Sequence, residues 1–100
     1  MDRSRVLTLI STTYTQDALK QQVPQETSTD VFCDVTSVSA QEMLAAGQSG
    51  LKPEWRVVMF AYDYNGQQIV ELDGVRYSVY RTYLGSNETI ELYLERKAGV

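Results

Sequence analysis

The sequence contains no histidine and a single cysteine, Cys33, among its 100 residues. Without histidine, neither a Ser-His-Asp triad nor a Cys-His pair can form. One cysteine cannot supply the thiolates of a tetrahedral zinc site, nor can it form an internal disulfide. A lone cysteine is typical of a reducing compartment. We therefore expect no catalytic residue, no metal site and no cofactor.

Positive charge and long apolar runs are also scarce. Lys and Arg number 9 against 13 Asp and Glu, which gives a formal net charge of −4. This balance argues against a broad basic face for duplex nucleic acid. No apolar run approaches the roughly 20 residues of a membrane span, and residues 1–5 do not begin a secretory signal. We expect no membrane partner.

The known motifs of enzyme chemistry are missing as well. The sequence has no phosphate-binding P-loop, no dinucleotide fingerprint and no nucleophile elbow. Two carboxylate pairs occur at strand spacing, Glu71 with Asp73 and Glu91 with Glu95. General acid–base catalysis needs such groups inside a cleft, and the alternation favours solvated strand faces. The sequence therefore predicts a protein that is not an enzyme.

Alternation of apolar and polar residues predicts six strands, at 6–10, 31–38, 55–64, 67–72, 75–84 and 88–96. Asn65-Gly66 and Asp73-Gly74 are typical of type I′ hairpin turns, and a third turn follows at 85–87. Three tight turns in succession predict a meander. We expect a mainly β fold: a small antiparallel β-barrel of about six strands with one short helix and long loops, formed by a single domain over residues 1–100.

Two segments lack the strand pattern. Residues 15–29 are polar and contain Pro24, which predicts a long surface loop or a mobile hairpin. Ser39 and Glu42 have the spacing of a capping box, and a short helix follows that Gly47 and Gly50 can end. Residues 39–53 then form either a connector that covers an open barrel end or a self-association and gating segment.

Cysteine and tyrosine are interpreted mainly as packing residues. Cys33 is expected in the core, because cysteine is among the most buried residue types. A tyrosine-rich face could instead stack single-stranded nucleic acid, with Arg76 and Arg81 beside it. The alternation places Tyr77 on the inner face and favours core or subunit contacts for the group, which consists of Tyr77, Tyr80, Tyr83 and Tyr93.

The order of several motifs resembles a known family. These motifs are LISTTYT at 9–15, SAQEMLAA at 39–46, GLKPE at 50–54, YNG at 64–66, GVRY at 74–77, YRTY at 80–83 and IEL at 90–92. In this order they resemble the small bacteriophage head closure proteins, also called stoppers or head-tail adaptors. The likeness is to the form in siphophages and prophages of Gram-positive bacteria, and it covers nearly the whole chain.

The resemblance implies a structural protein of the virion, assembled in the host bacterial cytoplasm. Such proteins form a homo-oligomeric ring below the phage portal and adaptor proteins. The ring closes the DNA exit channel after packaging and offers a docking surface to the tail or a tail-completion protein. Packaged double-stranded DNA is blocked in the channel rather than specifically bound.

The resemblance also assigns roles to residues. Residues 39–53 correspond to the channel loop, where Glu42 would give a ring of negative charge. The candidates for channel gating and oligomer contact are Ser39, Glu42, Met43, Leu44, Gln48, Ser49, Leu51 and Lys52. Residues 15–29 correspond to a loop at neighbouring rings, with contact candidates Tyr14, Asp17, Leu19, Gln22 and Val23.

Two other functions remain open at this point. One is a tail-completion or tail-terminator ring subunit, which would purify with the tail tube rather than with portal and adaptor. The other is a small OB-like nucleic-acid-binding barrel, which would bind oligonucleotides in a salt-dependent way and lose that binding on Tyr80→Ala or Tyr83→Ala.

Overall fold

The computed structural model describes residues 5–96 and has six strands and one α-helix. The strands are β1 (Arg5–Gln16), β2 (Gln22–Ser37), β3 (Pro53–Phe60), β4 (Ile69–Leu72), β5 (Val75–Leu84) and β6 (Thr89–Arg96), and the helix is α1 (Ala40–Gln48). Neighbouring strands are antiparallel and close a barrel in the order β1-β2-β3-β6-β5-β4. The expected mainly β fold, a six-strand antiparallel barrel with one short helix, is confirmed. Residues 1–4 and 97–100 of the expected domain lie outside the described part.

The barrel is filled by alternate residues of its strands. Leu7, Val57, Leu92 and Leu94 are fully buried, and they belong to β1, β3 and β6. Closure hides the strand edges that an open sheet of this size would expose. Cys33 on β2 is also fully buried, and burial raises the pKa of its thiol to about 11. The interpretation of Cys33 as a core residue is thus confirmed.

Two of the three predicted turns are confirmed. Asp73 and Gly74 have φ angles of 52° and 81°, as both central positions of a type I′ turn require. They join β4 to β5, and β5 has the predicted bounds. The turn between β5 and β6 places Asn87 and Glu88 at positive φ. Asp73, Gly74 and Asn87 are residue types that tolerate this conformation, whereas Glu88 is not.

The predicted hairpin at Asn65-Gly66 is wrong, so the meander comprises only β4, β5 and β6 and does not include β3. Strand β3 pairs with β2 and β6, whereas β4 pairs with β1 and β5. The chain therefore leaves β3 at Phe60, passes through a 3-10 turn (Ala61–Asp63) and crosses to the other side of the barrel. Only Gly66 of the dipeptide has a positive φ. The dipeptide indicates only a local bend of the chain. Which strands pair depends on which side chains are buried together, and β6 has an alternating apolar face beside β3.

Of the two alternatives for residues 15–29, a long surface loop or a hairpin, the structure has the hairpin, and most of the segment is strand. β1 and β2 stay paired from Arg5 opposite Cys33 to Gln16 opposite Gln22. β4 pairs with β1 only up to Ile10, so residues 11–28 form a two-stranded hairpin with no third strand, here called the ribbon. Threonine supports the extended conformation here, because its β-branched side chain favours strand. The ribbon contributes to a long axis of 50 Å, against 30 and 23 Å for the other two.

Candidate functional site

Residues 39–52, here called the α1 segment, are not needed to build the barrel. They connect β2 to β3, which are antiparallel neighbours with Ser37 directly opposite Trp55. Neighbouring antiparallel strands lie about 4.8 Å apart and can be joined by a two-residue turn. The connection between β2 and β3 is therefore longer than the topology requires, and the α1 segment is the leading candidate for a functional element.

The ends of α1 follow partly from the predicted capping residues. The Ser39 hydroxyl accepts a hydrogen bond from the backbone N–H of Glu42 at 3.2 Å. The helix ends at Ser49, and Gly50 has φ 81°. Gly47, expected to help end the helix, lies inside it. The capping box is only half formed, because the carboxylate of Glu42 has other partners.

Glu42 binds two consecutive residues of β5. Its carboxylate accepts one hydrogen bond from the Tyr80 hydroxyl at 3.0 Å and one from the Arg81 guanidinium at 2.7 Å. The pairing of β5 with β6 shifts between Val79 and Arg81, so Tyr80 is the extra residue of a β-bulge. A bulge re-aims side chains, and here both Tyr80 and Arg81 reach the helix. The three residues Glu42, Tyr80 and Arg81 are here called the clasp.

The clasp is largely shielded from water on its acidic side. The side chain of Glu42 is 14% exposed, whereas that of Arg81 is 47% exposed. Burial, followed by the hydrogen bond to Glu42, raises the pKa of Tyr80 above its ordinary value. The hydroxyl therefore stays protonated and keeps donating, while Arg81 balances the charge of the carboxylate. In this position the α1 segment does not present the free negative charge of Glu42 that the resemblance implies.

A second polar network lies beside the clasp on β3 and β6. Arg56 donates to the Glu91 carboxylate at 3.0 Å, and the Tyr93 hydroxyl donates to it at 2.7 Å. The bond from Arg56 lowers the pKa of Glu91 below its ordinary value. The Arg81 guanidinium lies 4.4 Å from the centre of the Tyr93 ring, a cation–π distance. Glu91 is only 18% exposed, so the expectation that it lies on a solvated face is wrong.

The two sides of α1 have different character. A groove of about 280 Å³ separates it from β5, lined by Glu42, Ala45, Ala46, Ser49, Leu51, Tyr80 and Arg81. On the outward side, Met43 is 48% exposed and Leu44 68% exposed. Gln48 and Lys52 are exposed too, and the backbone N–H of Lys52 donates to the Glu95 carboxylate. The helix thus docks through small residues and leaves its larger apolar ones outside.

The candidates for ring-to-ring contact all lie on the ribbon or in its turn. Tyr14, Leu19 and Val23 are 64%, 77% and 36% exposed, and Gln22 is exposed as well. Asp17 differs from them, because its carboxylate accepts the backbone N–H groups of residues 19 and 21, each at 2.9 Å. Asp17 therefore shapes the turn, while the others form its accessible surface.

One bidentate ion pair ties the ribbon to the barrel. Arg76 on β5 donates to both carboxylate oxygens of Glu26, at 2.9 and 3.0 Å. The hydrogen bond to Arg76 lowers the pKa of Glu26. This pair joins parts of the chain 50 residues apart, and nothing in the spacing of the sequence predicts it.

The tyrosines expected on one face are used in different ways. Tyr77 is 4% exposed, and its hydroxyl accepts a hydrogen bond from the indole N–H of Trp55 at 3.2 Å. Tyr93 is buried under Arg81, and Tyr80 belongs to the clasp. Tyr83 is 56% exposed. The prediction of core packing is confirmed for Tyr77, whereas the clasp role of Tyr80 was missed because the bulge leaves no mark in the alternation.

A scan of known protein-family models finds none that matches this chain, and a search of curated proteins finds no match either. Within residues 5–96, no group of three or more His, Cys, Asp or Glu side chains is placed to hold a metal ion. No helix in that part of the chain has the length and apolar character needed to cross a membrane.

Proposed function

We propose that this protein is a structural subunit of a phage head-tail connector. It forms a ring below the portal and adaptor, closes the DNA exit channel after packaging and offers a docking surface to the tail. Support comes from the two elements that the barrel does not need, the α1 segment and the ribbon. Both extend from a closed barrel and both carry exposed apolar side chains, as expected of a protein that acts through contacts.

The observation that carries the proposal is the docked but detachable position of the α1 segment. Its helix has nine residues, too few to be stable without outside contacts. The clasp supplies its charged contact, and an ion pair whose arginine is half exposed is worth about 1 kcal/mol. A segment held in this way can be displaced when a neighbouring ring or DNA competes for its position.

The position of the α1 segment also determines whether the negative charge of Glu42 is balanced. While docked, Glu42 is balanced by Arg81. When the segment leaves β5, the carboxylate of Glu42 becomes free, and one such group per subunit would surround the channel. Negative charge repels DNA phosphate, so the released segment would obstruct DNA without adhering to it.

The ribbon would then serve as the contact with a neighbouring ring. An isolated two-stranded hairpin is marginally stable in water, and this one is fastened through Arg76 and Glu26. Its exposed tip, with Tyr14 and Leu19, gives a partner protein apolar surface to bury.

The test replaces residues 40–51 by a short Gly-Ser linker in the phage or prophage that encodes the chain. Because β2 and β3 are antiparallel neighbours, we expect the variant barrel to fold and unfold cooperatively. Heads assembled with it should package DNA and then lose it. As the matched control, the ribbon is shortened by joining residues 13 and 25 through Asn-Gly, which should leave DNA sealed but impair docking to the neighbouring ring.

Other outcomes would redirect or overturn the proposal. Heads that carry the linker variant, keep their DNA and join tails would show that the α1 segment does not close the channel. Purification with the tail tube instead of portal and adaptor would assign the chain to tail completion. Salt-dependent oligonucleotide binding that is lost on Tyr83→Ala would indicate a nucleic-acid-binding barrel.

A further inference from the structure

Two pairs of large apolar side chains are exposed on the outside of the molecule. Val6 and Phe32 lie directly opposite each other on β1 and β2, and they are 46% and 66% exposed. They are here called the sheet patch. Met43 and Leu44 on α1, 48% and 68% exposed, are here called the helix patch. Each patch is small, and both stay exposed to these extents within the part of the chain that the structure describes.

The two patches lie on different elements of the same barrel. The sheet patch is on the seam between β1 and β2. The helix patch is on α1, which contacts β3 and is bound through the clasp to β5. The two patches are therefore distinct surfaces.

The charges around the two patches are complementary. Phe32 has Asp30 and Asp34 two residues away on either side, and alternation puts all three on one face of β2. The helix patch belongs to a segment that ends in Lys52, whose ammonium group has no ion pair within residues 5–96. Arg81, half exposed, lies beside the same helix. Complementary charges of this kind favour one partner and one register.

We propose that the helix patch of one copy binds the sheet patch of the next copy. Met43 and Leu44 pack on Val6 and Phe32, and Lys52 faces Asp30 and Asp34. Because the two surfaces differ, the contact is head-to-tail and can repeat around a ring. Closure of the contact into a ring rests on the proposed function. The contact between two copies does not, and it can be tested alone. The contact uses the docked position of α1, in which the clasp holds the helix against β5; release of the segment from β5 would therefore also break this contact.

Disulfide trapping between two single variants tests the contact. Leu44→Cys and Val6→Cys are mixed at equal concentration under mild oxidation, and we expect a mixed disulfide dimer. Neither variant alone should form homodimers at a comparable yield, because a head-to-tail contact does not bring like residues together. Leu84→Cys is the matched control, since Leu84 is 71% exposed but lies at the end of β5. The native Cys33 thiol is fully buried and should remain unlinked.

A charge exchange tests the register of the same contact. Lys52→Asp should lower the yield of the mixed disulfide roughly threefold to fivefold, as expected for loss of an exposed ion pair. Adding Asp34→Lys to the Val6→Cys partner should restore it. Both substitutions are at surface positions, and circular dichroism on each variant checks that the barrel is intact.

Three results would overturn the proposal. The first is a mixed disulfide no more abundant with Leu44→Cys than with Leu84→Cys. The second is an equal yield of Leu44→Cys homodimers, which would indicate a symmetric contact. The third is an unchanged yield with Lys52→Asp. DNA retention by heads is scored separately: a trapped contact with unaffected heads would refute the proposed function alone, and sealed heads without the trapped contact would refute this inference alone.

Discussion

The Glu42 carboxylate lies 2.7 Å from a guanidinium nitrogen of Arg81, although 39 residues separate them in the chain. The contact joins an excursion between β2 and β3 to a bulge in β5, so it fixes where the α1 segment rests. Glu42 is mostly shielded, and its second oxygen is bound by the neighbouring Tyr80. The position of the helix therefore depends on one acidic side chain more than on any apolar contact of Met43 or Leu44.

Glu42→Gln should loosen the α1 segment without unfolding the barrel. The amide keeps the shape but loses the charge that Arg81 binds, and we expect a loss of about 1 kcal/mol in the local opening free energy of the helix. Hydrogen exchange at the amides of residues 43–48 should become about fivefold faster, while the amides of β6 stay unchanged. Glu88→Gln is the control, because Glu88 also accepts from a tyrosine hydroxyl, that of Tyr62, but far from α1. Equal hydrogen-exchange rates at residues 43–48 in the two variants would show that the clasp does not hold the α1 segment in place.

Tyr77→Phe should destabilise the barrel by about 1–2 kcal/mol. The change removes the acceptor of the Trp55 indole N–H in a partly buried site, and loss of that hydrogen bond costs stability. Chemical denaturation followed by fluorescence of Trp55, the single tryptophan, measures this directly. Tyr83→Phe, at an exposed position, should change the free energy of unfolding by less than about 0.5 kcal/mol. Similar effects from both variants would contradict the structural role of this bond.

Acid should weaken the protein partly through Glu91. Its pKa is lowered in the folded state, chiefly by the hydrogen bond from Arg56. The unfolded chain therefore takes up a proton first as the pH falls, so the ion pair stabilises fully above the ordinary pKa of 4.5 and is lost as the pH drops through the lowered value. Denaturation of wild type and Glu91→Gln between pH 7 and pH 2.5 tests this. The wild-type advantage should be constant near neutrality and shrink below pH 4.5; a gap independent of pH would contradict it.

Two glycine substitutions should act in opposite directions. Gly74→Ala should cost about 1–2 kcal/mol, because φ is 81° there and an L side chain is strained in that conformation. Gly47→Ala should stabilise the chain by up to about 1 kcal/mol, since Gly47 is exposed inside α1 and an added Cβ has open space. Thermal unfolding of both variants measures the contrast. A stabilising Gly74→Ala would mean that the turn between β4 and β5 has a different conformation.

The sequence predicted the barrel because the strands are marked by a periodic alternation of apolar and polar residues, and the turns by local residue pairs. Alternation marked β5 and β6, and the Asp73-Gly74 pair marked the turn before β5. The same rules failed at Asn65-Gly66, where a turn-forming dipeptide lies in a crossing connection. Pairing of β3 with β6 depends on how the whole barrel closes, and no short window of sequence contains that information.

The candidate site was predicted as a segment but not as a set of contacts. Ser39 and Glu42 correctly indicated the start of a helix. The partners of Glu42 were not predicted, because they depend on an extra residue at Tyr80 that shifts the register of β5. A bulge changes which side chains share a face without changing composition or hydropathy, so only the structure reveals it.

Strand β2 connects the two elements that the barrel does not need. It is 16 residues long, and at about 3.3 Å per residue it is as long as the molecule itself, whose major axis is 50 Å. It starts at the tip of the ribbon and ends at Ser37, two residues before the N-cap of α1. A single extended strand therefore separates the surface at the ribbon tip from the start of the α1 segment.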